Sequence, residues 1–292
     1  MTRHQPEGDG KRPGETLRAY RNPDFINSAD ARPLRILAEY LEPAARFKEA
    51  HIRDTIVFFG SARAIEEIAA ARLERARQGS DPREVARAEK AMRLAAYADD
   101  ARELARRMTA WSKQLSGHQR RFVVCSGGGP GVMEAANRGA SEAKGETIGL
   151  NISIPTEQFA NPYITRRLSF EFHYFFMRKY WFLYMAKAMA IFPGGFGTMD
   201  ELMEALTLLQ TRKVAKPMPI VLYGREYWDQ VLDLEAMVEW GTVDREDLAL
   251  FRQVDTVEEA FDHLTGELTR HYLDGGQEEH DTEPEPPTRA PD

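Results

Sequence analysis

Five short apolar runs set the framework of this chain: "TIVFFG" (55–60), "FVVCSG" (122–127), "TIGLNI" (147–152), "MAIFPG" (189–194) and "PIVLYG" (219–224). Each is rich in Val, Ile and Phe, and nearly continuous rather than alternating. A strand with one face in water alternates apolar and polar residues, whereas a strand covered on both faces does not. The stretches between the runs are long enough for crossover helices. The sequence therefore predicts an α/β fold: a Rossmann-like, doubly wound parallel sheet with helices on both faces and extra N-terminal helices. With 292 residues, there is enough chain to bury a substantial core.

The gap between the first two runs exceeds what one crossover helix needs. Within it, Ser80 and Asp81 stand before Pro82, a helix start, and Val85, Met92, Ala95, Ala96 and Leu104 follow at roughly helical spacing. Helices from Ile65 to Arg77 and from Pro82 to Leu115 are expected to fill an insertion over 65–115, with another near Ala31–Ala50. The expected organisation is a single domain over 21–273. Residues 1–20 and the acidic tail 274–292, both poor in apolar residues, are expected to be unstructured.

Composition excludes several functions. There are 46 acidic and 39 basic residues, a net charge of −7, so no general affinity for nucleic acid is expected. The lone Cys125 rules out an internal disulfide and fits a reducing compartment. No apolar run nears the length of a membrane span, and "MTRHQPEGDG" lacks the apolar core of a signal peptide; a cytoplasmic location off the membrane is expected. The seven histidines form no pair at metal-ligand spacing, and neither metal nor cofactor is expected.

Three runs end in small-residue turns: Gly60-Ser61-Ala62, "SGGGPGVMEAANRGA" (126–140) and "PGGFGTMDELMEAL" (193–206). In a doubly wound sheet such turns gather beyond the carboxyl ends of the strands, where helix N-termini favour phosphate. The P-loop and the G-x-G-x-x-G dinucleotide fingerprint are both absent, and the strand after the second turn carries Asn151 where an NAD enzyme needs an acid. A mononucleotide or sugar phosphate is favoured. Thr198 reads as an N-cap, and Glu201 then falls either at its capping-box position or in the first turn facing a sugar; Asp200 reads as an exposed first-turn acid. "EFHYFFMRKYWFLYMAKAMA" (171–190) reads as one buried helix, and Arg178 within it calls for an anionic partner.

Pro193-Gly194-Gly195-Phe196-Gly197-Thr198-Met199-Asp200-Glu201, with Arg178-Lys179 upstream, resembles the P-G-G-x-G-T-x-x-E signature of the LOG ("Lonely Guy") family. The "GGGPGVMEAANRGA" turn is similar to that family's first glycine loop, and the likeness covers roughly residues 50 to 225. The resemblance implies a hydrolase that cleaves the N-glycosidic bond of a nucleoside 5′-monophosphate, AMP or a cytokinin riboside 5′-monophosphate, to free base and ribose 5-phosphate. It implies Arg178 and Glu201 as catalytic pair; Gly194, Gly195, Gly197 and Thr198 around the phosphate; and Ser61, Gly128, Gly129 and Glu134 around ribose and phosphate. Arg178 either contacts phosphate or holds Glu201 ionised. A homodimer is expected, with Leu202, Leu206 and Leu209 against the sheet or a second subunit. The competing expectation is a carrier or sensor without turnover, such as a molybdenum-cofactor carrier. Lysine decarboxylation, a label often attached to the family, is disfavoured because nothing marks Lys179, Lys213 or Lys216 as a Schiff-base lysine.

Overall fold

The computed structural model describes residues 16–79, 81–115, 117–154 and 159–274. The chain falls into two compact units, divided between Ala45 and Arg46. Apart from residues 16–20 and 274, the termini expected to be unstructured lie outside the described residues.

The first unit holds a 3-10 turn at Ala19–Arg21, α1 (Pro23–Ile26) and most of α2 (Arg32–Glu49), whose last residues, from Arg46 on, belong to the second. Asn22 caps α1, its side chain accepting from the Asp24 N–H at 3.1 Å, with Pro23 at the first helical position. The Arg35 guanidinium donates to the Ile26 and Ser28 carbonyls at 2.6 and 2.7 Å, tying the turn between the helices back onto α2.

The second unit holds seven strands: β1 (Thr55–Phe59), β2 (Val123–Ser126), β3 (Thr147–Ile152), β4 (Ser169–Phe172), β5 (Ala186–Ile191), β6 (Ile220–Tyr223) and β7 (Arg252–Val254). They form one sheet in the order β4-β3-β2-β1-β5-β6-β7, and every pairing is parallel. The helices between them are α3 (Glu66–Gln78), α4 (Pro82–Ser112), α5 (Val132–Glu142), α6 (Phe175–Met185), α7 (Phe196–Gln210), α8 (Arg225–Val231) and α9 (Leu234–Glu239), and α10 (Val257–Tyr272) follows β7. α3 and α4 are the helices expected in the insertion, and the Asp81 side chain caps α4 through the Arg83 N–H at 2.8 Å.

Two strands were not foreseen, and one expected helix is shorter. Of residues 171–190, only Phe175–Met185 is helical; β4 ends at Phe172 and β5 begins at Ala186. β4 lies at the sheet edge and alternates, with Phe170 and Phe172 buried and Glu171 exposed, so it lacks the continuous apolar signature of its inner neighbours. β7, also at an edge, is only Arg252-Gln253-Val254.

One face of the sheet is covered by α4, α5 and α10. Leu104, Met108, Ala136, Leu264 and Leu268 share a buried cluster with Ile56, Phe58, Val124 and Ala190. On the other, Phe182 of α6 meets Phe59 of β1 edge-on at 4.8 Å, and Phe47 packs between Phe170 and Trp181. Each fully buried side chain of this size contributes roughly 1.5–3 kcal/mol. The chain runs outward from β1 to β4 and then returns through α6 to β5, on β1's other side. This reversal makes the β1/β5 boundary the switch point, where such sheets leave a crevice beyond the strand ends.

Candidate active site

A cavity of about 780 Å³ opens at that crevice, lined by residues that follow β1 (Gly60–Arg63), β2 (Gly127), β3 (Ile154) and β5 (Gly194–Met199). Ser61 laces the loops together. Its N–H donates to the Pro193 carbonyl at 3.0 Å, and its own carbonyl accepts from the Val132 N–H at 3.1 Å. Gly131 must be glycine for this: its φ is +67°, and a Cβ there would stand 2.3 Å from the Ser61 oxygen.

The loop after β5 departs from its expected capping. Gly195, extended at φ −90° and ψ −154°, is the N-cap of α7, with no side chain capping it. Thr198 is therefore the third helical residue rather than the cap, and Glu201 lies in the second turn rather than at a capping-box position. Asp200 likewise leaves the first turn and pairs with Lys179 at 2.8 Å. The helix starts early because the Gly194-Gly195 turn brings the chain into helical register before Thr198. The Thr198 side chain instead fills the space beside Gly194, where a Cβ would meet its Oγ1 at 2.1 Å. A Cβ on Gly195 or Gly197 would meet nothing within 4 Å, and neither residue has a left-handed φ. Protein packing gives no reason for glycine at these two positions.

Glu201 is 5% exposed, and its Oε1 lies 3.5 Å from Arg178 Nη2. That is an ion pair without hydrogen-bond geometry, leaving Glu201 Oε1 and Arg178 Nε without hydrogen-bond partners. Arg178 finds its anionic partner in Glu201 and lies over the Phe175 and Phe182 rings, at 5.2 and 5.6 Å. Burial pushes the Glu201 carboxyl up to about 7, against the opposing pull of Arg178 and Lys179. Burial also lowers the Arg178 guanidinium, which Glu201 and Asp200 partly restore. Lys179 reaches from α6 to Asp200 and to Glu204, at 2.8 and 2.6 Å. Burial pulls its ammonium down, but these hydrogen bonds leave it above its ordinary value.

The cavity brings together Ser61, Arg178, Gly194, Gly195, Gly197, Thr198 and Glu201. Gly128, Gly129 and Glu134 are not among its described lining residues. Gly128 donates to Ser126 Oγ at 3.0 Å, and the Gly128 and Gly129 carbonyls accept from Asn161 Nδ2 at 3.1 and 3.2 Å. Asn161 also donates to Asn137 Oδ1 at 2.9 Å. Glu134 sits in the first turn of α5. His173 packs edge-on against Tyr174 and does not line the cavity either. Sequence reasoning missed Asn137 and Asn161, which hold the first glycine loop, and Tyr227, whose hydroxyl donates to the Gly194 carbonyl. Asn137 stands inside the quoted 126–140 turn, but nothing local shows its role; Asn161 and Tyr227 act on glycines more than thirty positions away.

Residues 133–264 match the family model described as "Possible lysine decarboxylase". Over that segment, a little under half of the chain, the sequence is similar to that family. The segment takes in Arg178 and Glu201 but begins after the Gly127–Gly131 loop and leaves α3 and α4 outside. No curated protein matches the chain. Among solved structures, it is similar to the molybdenum cofactor carrier protein of Chlamydomonas reinhardtii, at 19% identity and a TM-score of 0.45, over 75% of this chain and 99% of that one. It is also similar to TM1055, at 20% identity and a TM-score of 0.43, over 73% and 99%. Likenesses this distant carry no functional argument.

Lysine decarboxylation draws on pyridoxal phosphate held through a Schiff-base lysine. No described residue lining this cavity is a lysine. Lys179 is held by two carboxylates, and Lys216 donates to the Leu183 and Tyr184 carbonyls at 2.8 and 2.6 Å. The residues do not fit that cofactor.

Proposed function

We propose that this protein hydrolyses the N-glycosidic bond of a nucleoside 5′-monophosphate, releasing the free base and ribose 5-phosphate. The observation that carries this reading is Glu201: a buried carboxyl, titrating near neutrality, behind a glycine turn with open space before it. Among the described lining residues it is the one carboxylate.

The geometry supports the following roles. The N–H groups of the first turn of α7 have no helical acceptors, and Gly195 and Gly197 let a phosphate approach them closely. Anchoring the 5′-phosphate positions the ribose, so binding energy remote from the reacting bond serves the reaction. As the C1′–N bond breaks, positive charge builds on the ribose, as in other glycosidic cleavages. The Glu201 carboxylate stabilises that charge and takes a proton from the attacking water, whose oxygen bonds to C1′. The departing base keeps the bonding electron pair and acquires a proton. Arg178 holds Glu201 in place and favours its ionised form. AMP, with its cytokinin riboside analogue, is the substrate class proposed, and a homodimer the assembly.

The test is chromatography of AMP, GMP, CMP and UMP after incubation with the purified protein. Release of base with ribose 5-phosphate is the expected result. Tight binding of nucleotide with no release from any of the four would overturn the hydrolytic reading in favour of a carrier or sensor.

A further inference from the structure

Beside the catalytic cavity, α3, α4 and α8 enclose a second hollow of about 570 Å³, a volume usual for small-molecule sites. Its floor is apolar, made by Ala69, Ala91, Leu94 and Val231, with Ile68 at its edge. Ile68 and Val231 remain 61% and 47% exposed, large apolar surface on helices that have polar residues to offer solvent.

Around this floor stand Arg63, Arg72, Arg87, Lys90 and Arg93, against one acid among the described lining residues, Glu226. Arg93 is paired with Glu226. Arg72 and Arg87 share Glu84 at 3.8 and 4.0 Å, the outer limit of an ion pair. Among the described residues Lys90 meets only the neutral Gln230 amide, at 3.4 Å, and the Arg63 side chain has no ion-pair or hydrogen-bond partner. In a chain with more acids than bases, this excess of cations over an apolar floor is local.

We infer that this hollow is a second ligand site, for an organic anion with an apolar body and a terminal phosphate, sulfonate or carboxylate. The apolar body covers Ile68, Ala91 and Val231, and the anionic end meets Arg72, Arg87 and Lys90. A neutral apolar ligand leaves those three cations with one distant shared carboxylate, Glu84, and a bare inorganic anion leaves the floor wet. Both halves of the ligand are therefore specified. α3 and α4 lie outside the family match, so this site is built largely from residues beyond the segment that resembles the family. Ala62, Arg63, Leu94, Tyr227 and Val231 line both hollows, which adjoin along this wall. Tyr227 also bonds to Gly194, so an occupant here rests against the glycine turn. The inference does not depend on hydrolysis in the neighbouring cavity.

The test uses the full chain and the fluorescent probe 1-anilinonaphthalene-8-sulfonate, with N-phenyl-1-naphthylamine as its uncharged counterpart. The sulfonate probe is expected to bind once per chain and at least about tenfold more tightly than the amine. Arg72→Glu with Lys90→Glu, the first partly buried and the second exposed on its helix, is expected to weaken it about tenfold or more, and Ala91→Trp to block it. Arg178→Gln, in the catalytic cavity, is expected to leave it unchanged. Binding that survives both the double variant and Ala91→Trp, or that is lost with Arg178→Gln, would overturn the assignment.

Discussion

The two glycine-rich turns that flank β1's crevice look alike in sequence and differ in what surrounds them. In the first turn, at Gly128 and Gly131, the protein fills the space itself, and Gly127, which borders the cavity, is packed against Met133. A Cβ on Gly128 would stand 2.3 Å from Asn151, one on Gly127 2.8 Å from Met133, and one on Gly131 2.3 Å from the Ser61 carbonyl. Its carbonyls are taken by Asn161. At Gly194–Gly197 only the first glycine is packed, and Gly195 and Gly197 look onto open space. Glycine thus serves two ends: in the first turn it lets the chain pack on itself, and in the second it leaves room for something else. Only the second kind of turn points to a ligand, and the buried carboxyl of Glu201 lies behind it.

The largest effect is expected at Glu201. Glu201→Gln keeps the shape of the side chain but removes the charge, and turnover of AMP should fall by roughly 10²–10⁴-fold with nucleotide binding retained. Calorimetric binding beside a turnover assay separates the two. Near-normal turnover would remove the reason for treating the second turn as a catalytic one.

Stability should divide the turns next. Gly131→Ala forces a Cβ onto a backbone oxygen at a left-handed φ, and a loss of roughly 3 kcal/mol or more is expected in urea melts. Gly197→Ala meets no protein atom and lies in a helix, so its stability should be unchanged or higher by up to about 1 kcal/mol. Its KM for AMP should nonetheless rise, because the added methyl enters the space assigned to phosphate. Equal destabilisation by the two substitutions would break the comparison outright.

A smaller change probes the same contrast from the packed side. Asn161→Ala leaves the Gly128 and Gly129 carbonyls and Asn137 Oδ1 short of a donor, and should cost roughly 1–3 kcal/mol. If the first turn is structural, kcat/KM at a temperature where the variant is folded should stay within a few-fold of wild type. A large loss of substrate affinity without loss of stability would instead place the first turn beside the ligand.

How much of this was legible depends on how far each signal reaches along the chain. The five inner strands announce themselves because burial on both faces leaves a continuous apolar run, as in Thr55–Phe59. β4 escaped because an edge strand alternates, and Phe170 and Phe172 run straight into the aromatic residues of α6. Arg178 and Glu201 were visible as a buried cation and an acid beside a glycine turn, and the structure pairs them. The register of α7 was not, since Thr198 has the chemistry of a cap and only three-dimensional packing beside Gly194 shows that it is not one. Nor were Asn161, Tyr227 and the basic hollow, whose contacts join residues far apart in sequence.

Lys179 gives the subtlest test of the open turn. It sits outside the cavity, yet its ammonium holds Asp200 and Glu204, the two acids nearest in sequence to Glu201, and helps keep the Glu201 carboxyl ionised. If the ionised carboxylate is the working form, kcat/KM for AMP should rise with pH through a midpoint near 7. Lys179→Met removes a cation that favours the carboxylate and frees two anions that oppose it. Both changes push the Glu201 carboxyl upward, so the rising limb should move to higher pH. At pH 6 the variant should be much the slower enzyme, and the gap should narrow as pH climbs past the new midpoint. The substrate phosphate also titrates near 6, but a limb set by it would stay where it is in the variant. A uniform loss of rate at every pH would make Lys179 a strut between α6 and α7 and nothing more, while a shifted limb identifies Glu201 as the group whose ionisation the reaction needs.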